Sequence, residues 1–355
     1  EPPANFRIFY EALGLLEDEF YGTLPEGQQV PYSAIRGVLA RLNDPNTILV
    51  EPVAHEREQE QLEGEFGGIG AQVTANEQGQ LVIVAPILDT PAANADLRPN
   101  DIILEVDGTV VTGMPLDEAV ELIRGPVGTE VTLLIQRADE DESFTVTLVR
   151  AKIPDPTVDH AMVEGTDTGY IGLRFFSART ADELRAAIEA LKAEGAQKFI
   201  LDLRNNPGGL LDAAIGASSA FIGDGVIAYQ QRNDGTKSPL EATGNPIALD
   251  EPLVVLINEG SASASEILAG ALQSYERATL VGTPSYGKGT VQIPYTLSDG
   301  SSLHVTIAHW LTPDGTDLSS GGLTPDVQVE TTEEQRQANV DPVFEKAVEL
   351  LREMN

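Results

Sequence analysis

Three residues between Leu253 and Gln292 have the types and spacing of a hydrolytic site: Ser263, Lys288 and Gln292. A serine hydroxyl is a weak nucleophile until an adjacent base takes its proton, and a lysine does so only as the neutral amine, a form that burial favours. Ser263 lies in Ser261-Ala262-Ser263-Ala264-Ser265, just after the apolar run Leu253 to Ile257 and the break Asn258-Glu259-Gly260. Ile267, Leu268 and Leu272 then recur at helical spacing, so the serines sit where a strand turns into a helix. The first N–H groups of a helix are unpaired and lie at its positive end. The Ala264 N–H is therefore a candidate donor to the oxyanion formed when Ser263 attacks a carbonyl. The same serines would serve as helix caps in a protein with no catalysis. Against that, the chain has only six lysines in 355 residues, and this one stands between Gly287 and Gly289, a backbone that a solvated lysine does not need.

Around this stretch the chain alternates strand and helix. Gly169 to Phe175 and Lys198 to Leu203 read as strands, Ala181 to Ala193 and Leu211 to Phe221 as helices. Arg204-Asn205-Asn206-Pro207-Gly208-Gly209-Leu210 is a strand-to-helix turn that points backbone N–H groups into a crevice. Phosphate binding is one use of such a turn, but neither G-x-G-x-x-G nor G-x-x-x-x-G-K is present; a plain helix entry is another. Before Lys152 the pattern differs. Gly67-Gly68-Ile69-Gly70 precedes strands at Leu81 to Ile87, Asp101 to Val106, Val131 to Arg137 and Phe144 to Val149. A turn falls at Asp107-Gly108, and a helix from Pro115 to Arg124 presents Leu116, Ala119, Val120 and Ile123 on one face. The first 62 residues or so read as two helices, one with the stripe Phe6, Phe9, Leu13 and Leu16, the other with Ile35, Val38, Leu39 and Leu42. The charged stretch His55 to Glu65 then reads as a linker, and Pro342 to Met354 as a terminal helix.

Rival chemistries find less support. His304 and His309 are five residues apart in one expected strand and face opposite sides, while His55 and His160 lie in polar linker sequence. A Ser-His-Asp triad assembled from distant positions stays open, but no pattern favours it. Neither H-E-x-x-H nor a carboxylate cluster at ligand spacing occurs, so no metal or other cofactor is expected. Absence of cysteine rules out thiol catalysis, thiolate metal sites and disulfides. With 56 acidic against 22 basic residues the net charge is −34, which repels nucleic acid and anionic membranes. No apolar run approaches the roughly 18 residues of a membrane span, and the first residues lack the basic and apolar regions of a signal peptide.

The string S-A-S-A-S-E-I followed by Y-G-K-G-T-V-Q resembles the signature of the carboxy-terminal processing peptidases, serine proteases with a Ser–Lys dyad. The resemblance implies that Ser263 is the nucleophile, Lys288 the general base, and Gln292 the residue that helps position the lysine. D-L-R-N-N-P-G-G is similar to the family loop that supplies a second oxyanion donor beside Ala264, here Gly208 or else Gly209. S-S-G-G-L-T-P-D-V-Q-V, Ser319 to Val329, resembles the end of the peptidase core. G-G-I-G, L-R-P-N-D-I-I-L-E-V-D-G and the helix after them resemble a PDZ domain. In such domains a peptide adds a strand to the sheet edge and a glycine loop holds its terminal carboxylate, here Gly68, Ile69 and Gly70. Two positions depart from the pattern: Ser274, where some members carry an aspartate, and Asn100, where a glycine is usual.

The expected fold is α/β, a crotonase-like layered peptidase core at 153–330 with a PDZ domain inserted at 63–152 after N-terminal helices at 1–62. A C-terminal helix at 331–355 would pack on the core or on a partner subunit. The expected function is cleavage of proteins near their C-termini after PDZ capture of a free C-terminus. Its expected place is outside the cytoplasm, with any signal or anchor segment absent from this chain; a homodimer is compatible with the N-terminal stripes. A catalytically silent PDZ-type peptide binder and a core that binds a hydrophobic small molecule are the alternatives, and Ser263, Lys288 and Gln292 standing together argue against both.

Overall fold

Leu253–Ile257 is apolar and buried at every position, as a strand covered on both faces must be. In the computed structural model, which describes residues 4–137, 140 and 142–354, it lies inside a six-stranded sheet. The order is Val158–Met162, Thr168–Leu173, Lys198–Asp202, Leu253–Ile257, Thr279–Gly282, Val327–Gln328. The first pair is antiparallel and the others parallel. On one face Val254, Leu256, Ile200 and Val281 pack against Val343, Ala347 and Leu351 of the helix Pro342–Glu353. Val255 and Ile257 alternate to the other face and are also fully buried. Helix Leu211–Ser219 packs against both Thr180–Glu194 and Ala264–Ser274, and these two also touch the strands Thr168–Leu173 and Thr279–Gly282, respectively. Each buried Val, Leu or Ile side chain among these contributes about 1.5–3 kcal/mol. Arg204 ties the terminal helix to the strand that leads into the glycine loop, donating to Asp202 at 2.6 Å and to Asp341, the helix N-cap, at 2.9 Å.

A second sheet is formed by Ala71–Ala75, Leu81–Pro86, Ile102–Val106, Glu130–Gln136 and Phe144–Val149, with Thr109–Val110 paired beside Ile102–Val106. Its core is Ile83, Ile103, Leu133 and Ile135, closed by Ala119 and Ile123 of the helix Leu116–Ile123. Asp107 and Gly108 both have positive φ, 48° and 78°, as a two-residue hairpin turn requires. Asn100 has φ 71°, a left-handed conformation that asparagine tolerates, so its place in a usual glycine position is accommodated. Chain entry and exit pair with each other, Glu65–Gly68 antiparallel to Ala151–Pro154.

The charged stretch expected as a linker is helical instead, over Pro52–Glu63. Proline at its start and a run of Glu, Gln and Arg favour a helix without needing an apolar stripe. The chain divides into two compact units, residues 1–55 with 290–308, and residues 56–289 with 309–355. In the smaller unit, Ile48–Val50 pairs antiparallel with residues 302–304 of the strand Ser302–Leu311, and Thr290–Thr296 pairs with that strand too. Helix Gln29–Leu39 anchors there through Tyr32, whose hydroxyl donates to Asp299 at 2.7 Å. Helix Arg7–Glu19 buries none of its residues.

Candidate active site

The three closely spaced serines have different surroundings. Ser261 is buried, its Oγ donating to the Leu203 carbonyl at 2.8 Å and accepting from the Asn258 N–H at 3.0 Å. Ser265 is buried with its Oγ donating to the Asn206 carbonyl at 2.9 Å. Ser263 is part-exposed and stands immediately before the helix Ala264–Ser274 with φ 55° and ψ −112°. A non-glycine residue pays about 1–3 kcal/mol for such a backbone, and strain of this kind concentrates where a side chain must be presented. With Glu266 it forms a capping box, its N–H donating to Glu266 Oε2 at 2.8 Å.

Glu266 joins this corner to the lysine turn. The side chain is fully buried and its carboxylate accepts four hydrogen bonds. Oε1 takes Ser285 Oγ at 2.6 Å and the Gly287 N–H at 2.7 Å; Oε2 takes the Ser263 N–H at 2.8 Å and the Lys288 N–H at 2.9 Å. The backbones of Ser263 and Lys288 therefore meet on one oxygen. Both glycines beside the lysine are sterically required: a Cβ on Gly289 would fall 2.2 Å from the Ser319 nitrogen, and one on Gly287 2.9 Å from the Gly322 nitrogen.

Lys288 is part-buried, and burial lowers its pKa from the ordinary lysine value, with the charges of Glu58 and Glu266 acting in the opposite sense. Among the described residues its ammonium has no hydrogen bond or ion pair, and none joins it to Ser263 Oγ. Catalytic hydrogen bonds commonly close only on substrate. Gln292 lies on Thr290–Thr296 in the smaller unit, where Nε2 donates to Thr290 Oγ1 at 2.7 Å and Thr306 Oγ1 at 3.2 Å. His160 and His309, the histidines of the larger unit, are exposed and make no hydrogen bond with Ser263; His309 Nδ1 lies 3.0 Å from Ser319 Oγ.

The glycine loop packs against the Ser263 corner. Gly208 has φ 107°, and a Cβ there would fall 2.9 Å from Ser263 Cβ and 3.0 Å from the Ala264 nitrogen. Its N–H donates to Asn206 Oδ1 at 2.9 Å, so it reaches an oxyanion only by sharing or leaving that partner. Asn206 is fully buried and holds the loop to the sheet, Nδ2 donating to the Leu173 carbonyl at 2.9 Å. Gly208→Ala should lower stability by about 1–3 kcal/mol and lower kcat more than it raises KM, because the new methyl displaces the serine corner. Thermal melting with steady-state kinetics checks this, and wild-type kcat would refute it. Neither Asn206 nor Glu266 is among the candidates the sequence offers; for Glu266 the Ser-x-x-Glu spacing of a capping box is a usable signal.

In the second sheet, Gly68, Ile69 and Gly70 are buried and line a cavity of about 210 Å³ with Phe66, Val120 and Arg124. The Ile69 carbonyl accepts from the Ala92 N–H and the Gly70 carbonyl from the Ile87 N–H, each at 2.8 Å. In a trans peptide the N–H points opposite to the carbonyl, so the Gly70 and Ala71 N–H groups are directed away from those partners. The Arg124 guanidinium lies 3.9 Å over the Phe66 ring.

Residues 167–329 match the family model of peptidase family S41, and residues 82–137 that of the PDZ domain. The carboxy-terminal-processing protease of Bartonella bacilliformis is 39% identical over 337 residues, covering 92% of this chain and 77% of that protein. The carboxyl-terminal-processing protease of Synechocystis sp. is 41% identical over 320 residues, covering 89% and 75%. The solved structure of a photosystem II D1 C-terminal processing protease is 32% identical with a TM-score of 0.52, covering 90% of this chain and 86% of that one. On this identity and coverage the chain belongs to the carboxy-terminal processing proteases of peptidase family S41, serine-type peptidases that carry a PDZ domain.

Proposed function

We propose that Ser263 is the nucleophile and Lys288 the general base of a peptidase that cuts protein chains near free C-termini held in its PDZ groove. The observation that carries the reading is the meeting of the Ser263 and Lys288 N–H groups on Glu266 Oε2, at 2.8 and 2.9 Å, from residues far apart in sequence. The neutral Lys288 amine takes the Ser263 proton as Oγ bonds to the scissile carbonyl carbon. The Ala264 N–H at the helix start and the Gly208 N–H, once turned from Asn206, hold the oxyanion. Lys288 then gives its proton to the leaving amine, and again serves as base while water splits the acyl-enzyme. Gln292 orients the lysine in this reading, on the strength of its place four residues after Lys288 in the family pattern.

In the PDZ domain the carboxylate-loop role falls to Gly68, Ile69 and Gly70, with the peptide laid along the groove beside the helix Leu116–Ile123. Amidating the C-terminus of a protein substrate should then lower kcat/KM by about tenfold, the loss of one charged anchor. Equal rates for the free and amidated substrate would remove the domain from substrate selection. An extracytoplasmic location and a homodimer complete the proposal, supported by family habit and by the unburied apolar residues Ile8, Leu15 and Leu16 of the first helix. Fractionation of source cells and sedimentation equilibrium test them.

A further inference from the structure

Glu266 is a buried carboxylate for which, among the described residues, no cationic side chain lies at hydrogen-bond distance. Burying such a charge is costly unless its lone pairs are met, and here four neutral donors meet them at 2.6–2.9 Å. The origin of those donors gives the group its meaning. One is the nucleophile's own N–H, two are N–H groups of the lysine turn, and the fourth, Ser285 Oγ, also accepts from the Leu323 N–H at 2.7 Å. A glutamine in this place has one acceptor oxygen, and its NH₂ would face N–H donors.

Resting on the assignment of Ser263 and Lys288 above, we propose that Glu266 is a positioning residue of the reaction, its two carboxylate oxygens holding the backbones of nucleophile and base in fixed register. Each oxygen grips the lysine turn once, so the turn cannot rotate about a single bond, and Oε2 also grips the serine corner. The negative charge has a second effect on the amine it positions. Together with Glu58 on the helix Pro52–Glu63, it favours the protonated lysine, against the burial that favours the neutral form. Removing the charge therefore loosens the geometry while making Lys288 easier to deprotonate, and these two effects separate experimentally.

The experiment measures kcat and KM of peptide hydrolysis against pH for Glu266→Gln and Ser285→Ala, beside wild type, Ser263→Ala and Lys288→Ala. Folding of every variant is followed by thermal melting. Glu266→Gln is expected to lower the plateau kcat by at least about tenfold with KM within about twofold, and to move the acid limb of the profile to lower pH. Ser285→Ala, which removes one neutral donor and keeps the charge, should lower kcat severalfold and leave that limb in place. A purely structural role for Glu266 would lower activity without moving the limb. Wild-type kcat in Glu266→Gln, or a reduced kcat with an unmoved limb, overturns the proposal. If that variant does not fold, Ser285→Ala decides, and an unchanged kcat there overturns it. Activity surviving in Ser263→Ala and Lys288→Ala would instead end the dyad assignment and this inference with it, an outcome distinct from inactive controls beside a wild-type-like Glu266→Gln.

Discussion

Replacing Lys288 by arginine is expected to abolish activity as fully as replacing it by alanine, a loss of about 10²–10⁴-fold in kcat/KM for a general base. Arginine keeps the positive charge and the length but holds its proton throughout the accessible range, so it cannot take the serine proton. The sign of the pH dependence follows from the same group. Burial lowers the Lys288 pKa below the ordinary 10.5, and Glu58 and Glu266 offset part of that. In the proposed mechanism the base is the neutral form, so kcat/KM should be low while the lysine is protonated, rise as pH passes through the depressed pKa, and level off below 10.5. Profiles measured with a substrate that has no titrating group, for wild type, Lys288→Arg and Lys288→Ala, check both statements. A Lys288→Arg enzyme with near-wild-type rate would show that the proton leaves by another route.

Ser263→Ala should remove at least about 10³-fold of kcat, since the proposed acyl-enzyme can then not form. Ser261→Ala and Ser265→Ala should behave differently, because their hydroxyls are engaged with the Leu203 and Asn206 carbonyls. Each is expected to lower stability by about 1–3 kcal/mol and leave kcat within a few-fold of wild type. A fluorophosphonate reagent should attach at Ser263, with Ser261 and Ser265 unmodified by mass spectrometry. An adduct on another serine, with cleavage retained in Ser263→Ala, would move the nucleophile.

Local pattern was enough wherever local physics decides. The strands Leu253–Ile257 and Phe144–Val149 fall where their apolar residues put them, and Asp107-Gly108 makes the tight hairpin those residues favour. Family membership was legible too, because Ser263, Lys288 and the Asn206-Pro207-Gly208-Gly209 loop stand in recognisable strings. The helix Pro52–Glu63 carries helix propensity without an apolar period, so hydrophobic periodicity does not mark it in the sequence. The contacts that occupy Ser261 and Ser265, and the one that brings the lysine turn onto Glu266, belong to tertiary structure alone, whereas the bonds from the Gly208 N–H to Asn206 and from the Ser263 N–H to Glu266 are local. The former link residues some twenty to sixty positions apart, on segments that become neighbours only once the parallel strands Lys198–Asp202, Leu253–Ile257 and Thr279–Gly282 are laid side by side. Residue spacing states which groups are available for such bonds; strand order and register decide which of them meet.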